Sequence, residues 1–96
     1  TRHVPLADIL FFETAPKAHH VFLHTASSRL DFVGSLNELE QELAGRFVRV
    51  HRAYLAAWDK IESVDCRENR VRVGGRECLL SRAGKAELKK KLGGGP

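Results

Sequence analysis

Phe47-Val48-Arg49-Val50-His51-Arg52-Ala53-Tyr54-Leu55 is the stretch on which the reading of this chain turns. Over Phe47 to His51 the side chains alternate, with Val48 and Val50 on one face and Arg49 and His51 on the other. That period of two belongs to a strand and not to a helix. A short apolar run, Tyr54 to Trp58, follows, and Lys60 to Cys66 reads as the next strand.

Outward to the C-terminus, Arg67, Glu68 and Asn69 form a polar turn into Arg70 to Val73, where Val71 and Val73 point inward and Arg70 and Arg72 outward. Gly74-Gly75 tolerates positive φ at both positions and so predicts a two-residue hairpin turn, completed by Arg76 to Ser81. Ser81 to Leu92 is compatible with a terminal helix carrying Lys85, Lys89, Lys90 and Lys91, although Gly84 weakens its first turn. Gly93 to Pro96 reads as a flexible tail after a domain spanning residues 1–92.

Outward to the N-terminus, Ser35 and Glu38 match a capping box, and Leu36, Leu39 and Leu43 recur at helical spacing, which predicts one short helix stopping at Gly45. Val21 to Thr25 and Arg29 to Val33 read as a hairpin around Ala26, Ser27 and Ser28. Ala7 to Thr14 reads as the first strand, ended by a loop in which Pro16 removes a backbone donor. The pattern predicts a mostly β domain with one capped helix and a candidate C-terminal helix.

At 96 residues the chain holds one core. No apolar run approaches the roughly 20 residues that cross a bilayer, no export signal opens the sequence, and Thr1 in place of Met suggests a piece of a longer protein. Two cysteines, Cys66 and Cys78, do not make a disulfide framework and read as reduced and structural. Sixteen basic residues against twelve acidic ones give a net charge of +4, which permits a polyanionic partner without requiring one.

The usual catalytic and metal patterns are missing. His20 and His24 are four residues apart, but on a strand that separates them by about 13 Å, too far to share one ion through bonds of about 2.0–2.1 Å. Neither Cys66 nor Cys78 has a C-x-x-C partner, no nucleophile elbow occurs, and Gly74-Gly75 belongs to a hairpin and not to a phosphate loop. No enzyme, metal or cofactor is expected.

The basic residues instead gather in or beside predicted turns: Lys17, His19 and His20; Arg49, His51 and Arg52; Arg67 and Arg70; Arg82 and Lys85. Two readings fit, a grip on phosphates and an ordinary solvated rim. Phe11, Phe12, Phe22, Phe32 and Phe47 fall at core-like positions, so a stacking platform for single strands is disfavoured and duplex DNA is the better nucleic-acid partner.

The central run, followed by Asp59-Lys60-Ile61-Glu62-Ser63-Val64, resembles the F-x-R-x-H-R-S-Y … K-I-x-x-I signature of LytTR DNA-binding domains. Ile9-Leu10-Phe11-Phe12-Glu13 and the stretch around Phe32, Gly34, Ser35 and Leu36 agree with the same family, so the similarity covers about residues 4 to 92. Departures are Ala53, where the signature often has serine, and Ala57, where it often has asparagine.

The resemblance implies an elongated arrangement of small β-sheets whose loops, not a recognition helix, enter successive major grooves of promoter DNA. It implies the effector domain of a bacterial, cytoplasmic two-component response regulator, preceded by a receiver domain, monomeric alone and bound to direct repeats. By position it implies base reading by His19, Arg52 and either Arg82 or Ala83, depending on one gap, with Arg82 favoured. Lys17, His20, Arg49, Arg67, Arg70 and Lys85 would hold the DNA backbone. The alternative is a non-catalytic protein-interaction module whose positive rim meets an acidic partner.

Overall fold

The computed structural model describes residues 3–93. Among these residues eight strands form two antiparallel sheets. The larger contains β1 (Ile9–Thr14), β2 (His20–Thr25), β3 (Arg29–Val33), β4 (Phe47–His51) and β5 (Tyr54–Ala57) in the order β3-β2-β1-β5-β4. The smaller contains β6 (Ile61–Asp65), β7 (Arg70–Val73) and β8 (Arg76–Leu79) in sequence order. Two helices complete the domain, α1 (Leu36–Glu42) and α2 (Arg82–Gly93). It measures 39 × 27 × 24 Å along its principal axes, elongated as the resemblance implies.

The larger sheet is the middle layer and is buried on both faces along β1 and β5. On one side Phe11, Val48, Val50 and Ala56 pack with Val71, Val73 and Cys78 of the smaller sheet and with Leu80 and Leu88 of the C-terminal segment. On the other side Ile9, Phe12, Val21, Phe47 and Leu55 pack under Leu36, with Leu39 and Leu43 half-buried beside them. A bulge between Ile9 and Phe11 adds one residue to β1. Leu10 and Phe11 therefore turn to the first core while Ile9 and Phe12 turn to the second, which is how four consecutive apolar residues are all buried.

The Ser35 hydroxyl accepts the Glu38 amide at 3.3 Å, the expected capping contact of α1. At the Gly74-Gly75 turn both φ values are positive, +54° and +83°, which twists β7 and β8 in the right-handed sense. The tight approach of Gly74 to Leu10 also leaves no room for a Cβ, which would lie 2.4 Å from a Leu10 methyl. Ser81 caps α2: its hydroxyl accepts the Gly84 amide at 3.0 Å and its carbonyl the Lys85 amide at 2.9 Å.

Several expected boundaries shift. The first strand begins at Ile9 and not Ala7, because Leu6–Asp8 closes a 3-10 turn with the Asp8 amide on Pro5 O at 2.9 Å. The strand expected over Lys60 to Cys66 is Ile61–Asp65; a 3-10 turn, Trp58–Lys60, precedes it, and Asp65 Oδ1 ends it by accepting the amides of Arg67 and Glu68 at 3.0 and 2.9 Å. The apolar run after Ala53 is a strand, β5, between β1 and β4. The hairpin strand expected to reach Ser81 stops at Leu79. Gly93 closes α2, and the remainder of the expected tail lies outside the described residues. No helix among the described residues is long and apolar enough to cross a membrane.

Candidate nucleic-acid interface

Strand pairing brings the turns that carry the basic residues to one end of the domain. Glu13 of β1 pairs with Tyr54 of β5, and the Thr14 amide donates to Ala53 O at 3.0 Å, so the β1–β2 loop lies beside the β4–β5 turn. Arg70 of β7 pairs with Leu79 of β8, and the Leu80 amide donates to Asn69 O at 2.9 Å, which sets the β6–β7 turn against the start of α2. The Ser81 amide in turn donates to Val50 O at 2.9 Å, tying that start to the last residues of β4. The opposite end holds the N-terminal segment and the β2–β3 and β7–β8 turns.

His19 is exposed and sits at φ +64°, a left-handed conformation uncommon for a residue with a side chain. Two backbone hydrogen bonds hold it there: the His20 amide donates to Lys17 O at 3.1 Å and the Gly34 amide to His19 O at 2.9 Å. Lys17 is exposed beside it. His20 points its Nδ1 at Asp31 Oδ1, 2.7 Å away. These three residues share one shallow depression with Asn37 and Arg49.

A second depression, on the other side of Arg49, is lined by His51, Arg52, Ser81, Ala83 and Gly84. Arg52 is exposed at the tip of the β4–β5 turn. His51 shapes that turn, its Nδ1 accepting the Ala53 amide at 3.1 Å, so the proton of the neutral ring sits on Nε2. Burial, with Arg52 and Arg49 adding positive charge nearby, pulls the His51 pKa below its usual value of 6.5 and keeps the ring an acceptor at neutral pH.

Among the described residues, Arg49 is the most heavily engaged cation. Its Nε donates to His51 O at 3.0 Å and Nη2 to Arg52 O at 2.6 Å, while Nη1 donates to Asn37 Oδ1 and Glu40 Oε1, each at 2.9 Å. Arg67 is exposed on the β6–β7 turn. Arg70 is also exposed and makes a 3.3 Å ion pair with Glu77. Arg82 is exposed in the first turn of α2 and Lys85 half-buried in the next; of Arg82 and Ala83, it is Ala83 that borders the depression next to Arg52.

Sequence reasoning did not anticipate the parts played by Asn37, Glu40 and His51. The signal for the first two was the polar i,i+3 pair on the face of α1 that its leucines leave free. Elsewhere, His24 is buried, donating from Nε2 to Glu13 at 2.8 Å and accepting at Nδ1 from Arg76 at 3.2 Å, and Tyr54 completes the network with a 3.2 Å bond to Glu13. Among the described residues no group of three His, Cys, Asp or Glu side chains could hold a metal ion.

The domain is thus a two-sheet β module that gathers strand-end turns and one helix start, with their basic residues, at one end. The family model described as LytTr DNA-binding domain matches residues 1–93. This chain belongs to the LytTR family, whose domains are non-catalytic DNA-binding modules. It is 36% identical over 80 residues to Accessory gene regulator protein A of Staphylococcus aureus strain N315, a match covering 82% of this chain and 33% of that protein. The same identity and coverage hold for the Staphylococcus epidermidis protein of that name. The chain thus spans about a third of the length of these relatives. A solved LytTr DNA-binding domain from Bacillus cereus shares the fold, with a TM-score of 0.79 and 21% identity over 94% of this chain and 85% of that one.

Proposed function

We propose that this domain binds double-stranded promoter DNA in a sequence-specific manner, entering the major groove with the β1–β2 loop, the β4–β5 turn and the start of α2. The observation that carries this reading is the convergence on one cationic end of turns that lie far apart in sequence, from Lys17 to Arg82, in a member of a DNA-binding family. His19, Arg52 and Arg82 read base edges. Arginine at the tip of the β4–β5 turn suits guanine, whose O6 and N7 accept its two parallel donors. Lys17, His20, Arg67, Arg70 and Lys85 hold phosphates around them. Arg49 lies among them with its donors engaged by its own chain.

The domain acts as the effector part of a bacterial cytoplasmic response regulator. Support comes from the relatives named as gene regulators, of which it covers a third. The N-terminal segment also enters at the end opposite the loops, so a preceding receiver domain would sit clear of DNA. Two such modules on a direct repeat would gain affinity through effective concentration when their receivers pair.

Selection of duplexes from a randomised pool, followed by salt titration on the selected and a scrambled duplex, tests this. Enrichment of a repeated motif, with affinity falling by a log–log slope of about −0.9 per phosphate contact, is expected. Equal, weak binding to both duplexes would instead favour an acidic protein partner.

A further inference from the structure

We propose that Arg49 is a positioning residue for base reading, acting through the turn that bears Arg52 and not through contact with DNA; this rests on the reading of Arg52 as a base contact. The guanidinium spans two elements. One side takes the carbonyls of His51 and Arg52, and the other takes Asn37 and Glu40 on α1. The Arg49 side chain is only 19% exposed, and four of its five N–H donors already have acceptors, so a bidentate phosphate contact would have to displace at least one of them.

What the clamp fixes is the backbone from which Arg52 projects. The two-residue excursion between β4 and β5 is held by the Ala53 amide on His51 Nδ1, by the Thr14 amide on Ala53 O at 3.0 Å, and by Arg49 on the carbonyls of His51 and Arg52. Arg52 lies beyond the last β4–β5 pair, His51 with Tyr54, and that pairing shifts register between Arg49 and His51, so the guanidinium braces the backbone where the ladder is irregular and then ends. Planar guanidinium geometry lets one side chain serve both carbonyls and α1 together, which a lysine ammonium on a flexible stem cannot do. Base reading needs such preorganisation, because a bidentate arginine–guanine contact tolerates little displacement.

Arg49→Lys and Glu40→Ala separate this from direct phosphate binding. For Arg49→Lys the ratio of selected to scrambled affinity should fall about tenfold, with the salt slope unchanged. Glu40→Ala removes a negative charge and loosens the clamp, so its ratio should also fall while binding to scrambled duplex holds or rises. In the absence of DNA, both variants should exchange the Ala53 amide hydrogen faster while the buried amides of β5 keep their protection.

A phosphate contact would give the reverse: Arg49→Lys retaining both affinities, and Glu40→Ala strengthening both duplexes with their ratio intact. That result, or unaltered Ala53 exchange, would overturn the proposal. If the wild-type domain distinguishes no duplex, the reading of Arg52 fails, and the exchange arm still decides whether Arg49 holds the turn.

Discussion

Ser81 and Val50, thirty-one residues apart, are joined by two hydrogen bonds to one oxygen: the Ser81 amide reaches Val50 O at 2.9 Å and the Ser81 hydroxyl reaches it at 3.4 Å. This contact seats the start of α2 on the strand that leads into the Arg52 turn. It works only because the next turn of helix has no side chain there. A Cβ at Gly84 would lie 1.9 Å from the same oxygen.

Gly84→Ala should therefore destabilise the domain by roughly 3 kcal/mol, the upper end of ordinary overpacking, since backbone and not a flexible side chain blocks the methyl. In an exposed helix the same change would stabilise. Urea denaturation should show a lower midpoint, and an unchanged or raised midpoint would mean that α2 does not pack this closely.

Arg52→Ala should weaken binding to the selected duplex by about 1–3 kcal/mol and relax preference at one base pair, leaving scrambled duplex less affected. Anisotropy titrations on duplexes varied at each position measure both effects. A loss of equal size on every duplex would make Arg52 a backbone contact.

Lys17→Ala should instead weaken selected and scrambled duplexes alike and reduce the salt slope by about 1. Because Lys17 is exposed on a loop, its removal should leave thermal stability unchanged. A change in base preference with an unchanged slope would move Lys17 into the base-reading set.

Acid should destabilise the fold through two histidines. Burial is the main cause that lowers the His24 pKa from 6.5, outweighing the Glu13 carboxylate that raises it, and His51 is lowered by burial and its neighbouring arginines. A depressed folded pKa means that the neutral ring is preferred by the native state. The contribution is complete above pH 6.5 and is lost as pH falls from there through the folded values. Melting temperature should drop between pH 7.5 and pH 5.5, and drop less in His24→Gln, where no ring needs protonating. An equal drop in both proteins would remove His24 from the explanation.

The two thiols should differ in reactivity. Cys66 is exposed, whereas Cys78 is buried, with burial and the nearby Glu13 carboxylate pushing its pKa up to about 12. A thiol-specific chromogenic reagent should titrate one group quickly in the native protein and the second only on unfolding. Two fast groups would place Cys78 outside the core.

Much of this architecture was legible in the chain because short-range chemistry decides it. Ser35 and Glu38 announce α1, Gly74-Gly75 announces its hairpin, and the alternation through Val71 and Val73 carries over into fully buried positions. Less legible was anything decided by pairing across the sheet. Tyr54–Ala57 is too short and too alanine-rich to read as a strand, yet it lies between two partners. Gly84 reads as a weak point in a helix until the carbonyl of Val50 is seen against it. At the site, the basic residues were evident from their turns, but the difference between a cation free at the surface and one committed to its own chain, Arg52 against Arg49, depends on what α1 brings alongside.

The most direct test of the loop end as the DNA-binding surface is a chemical-shift footprint of the 15N-labelled domain titrated with its selected duplex. Perturbed amides should cluster at residues 15–20, 51–53, 66–70 and 81–85, with the turns at residues 26–28 and 74–75 silent. Perturbation centred on those opposite turns, or spread without focus at saturating duplex, would contradict it.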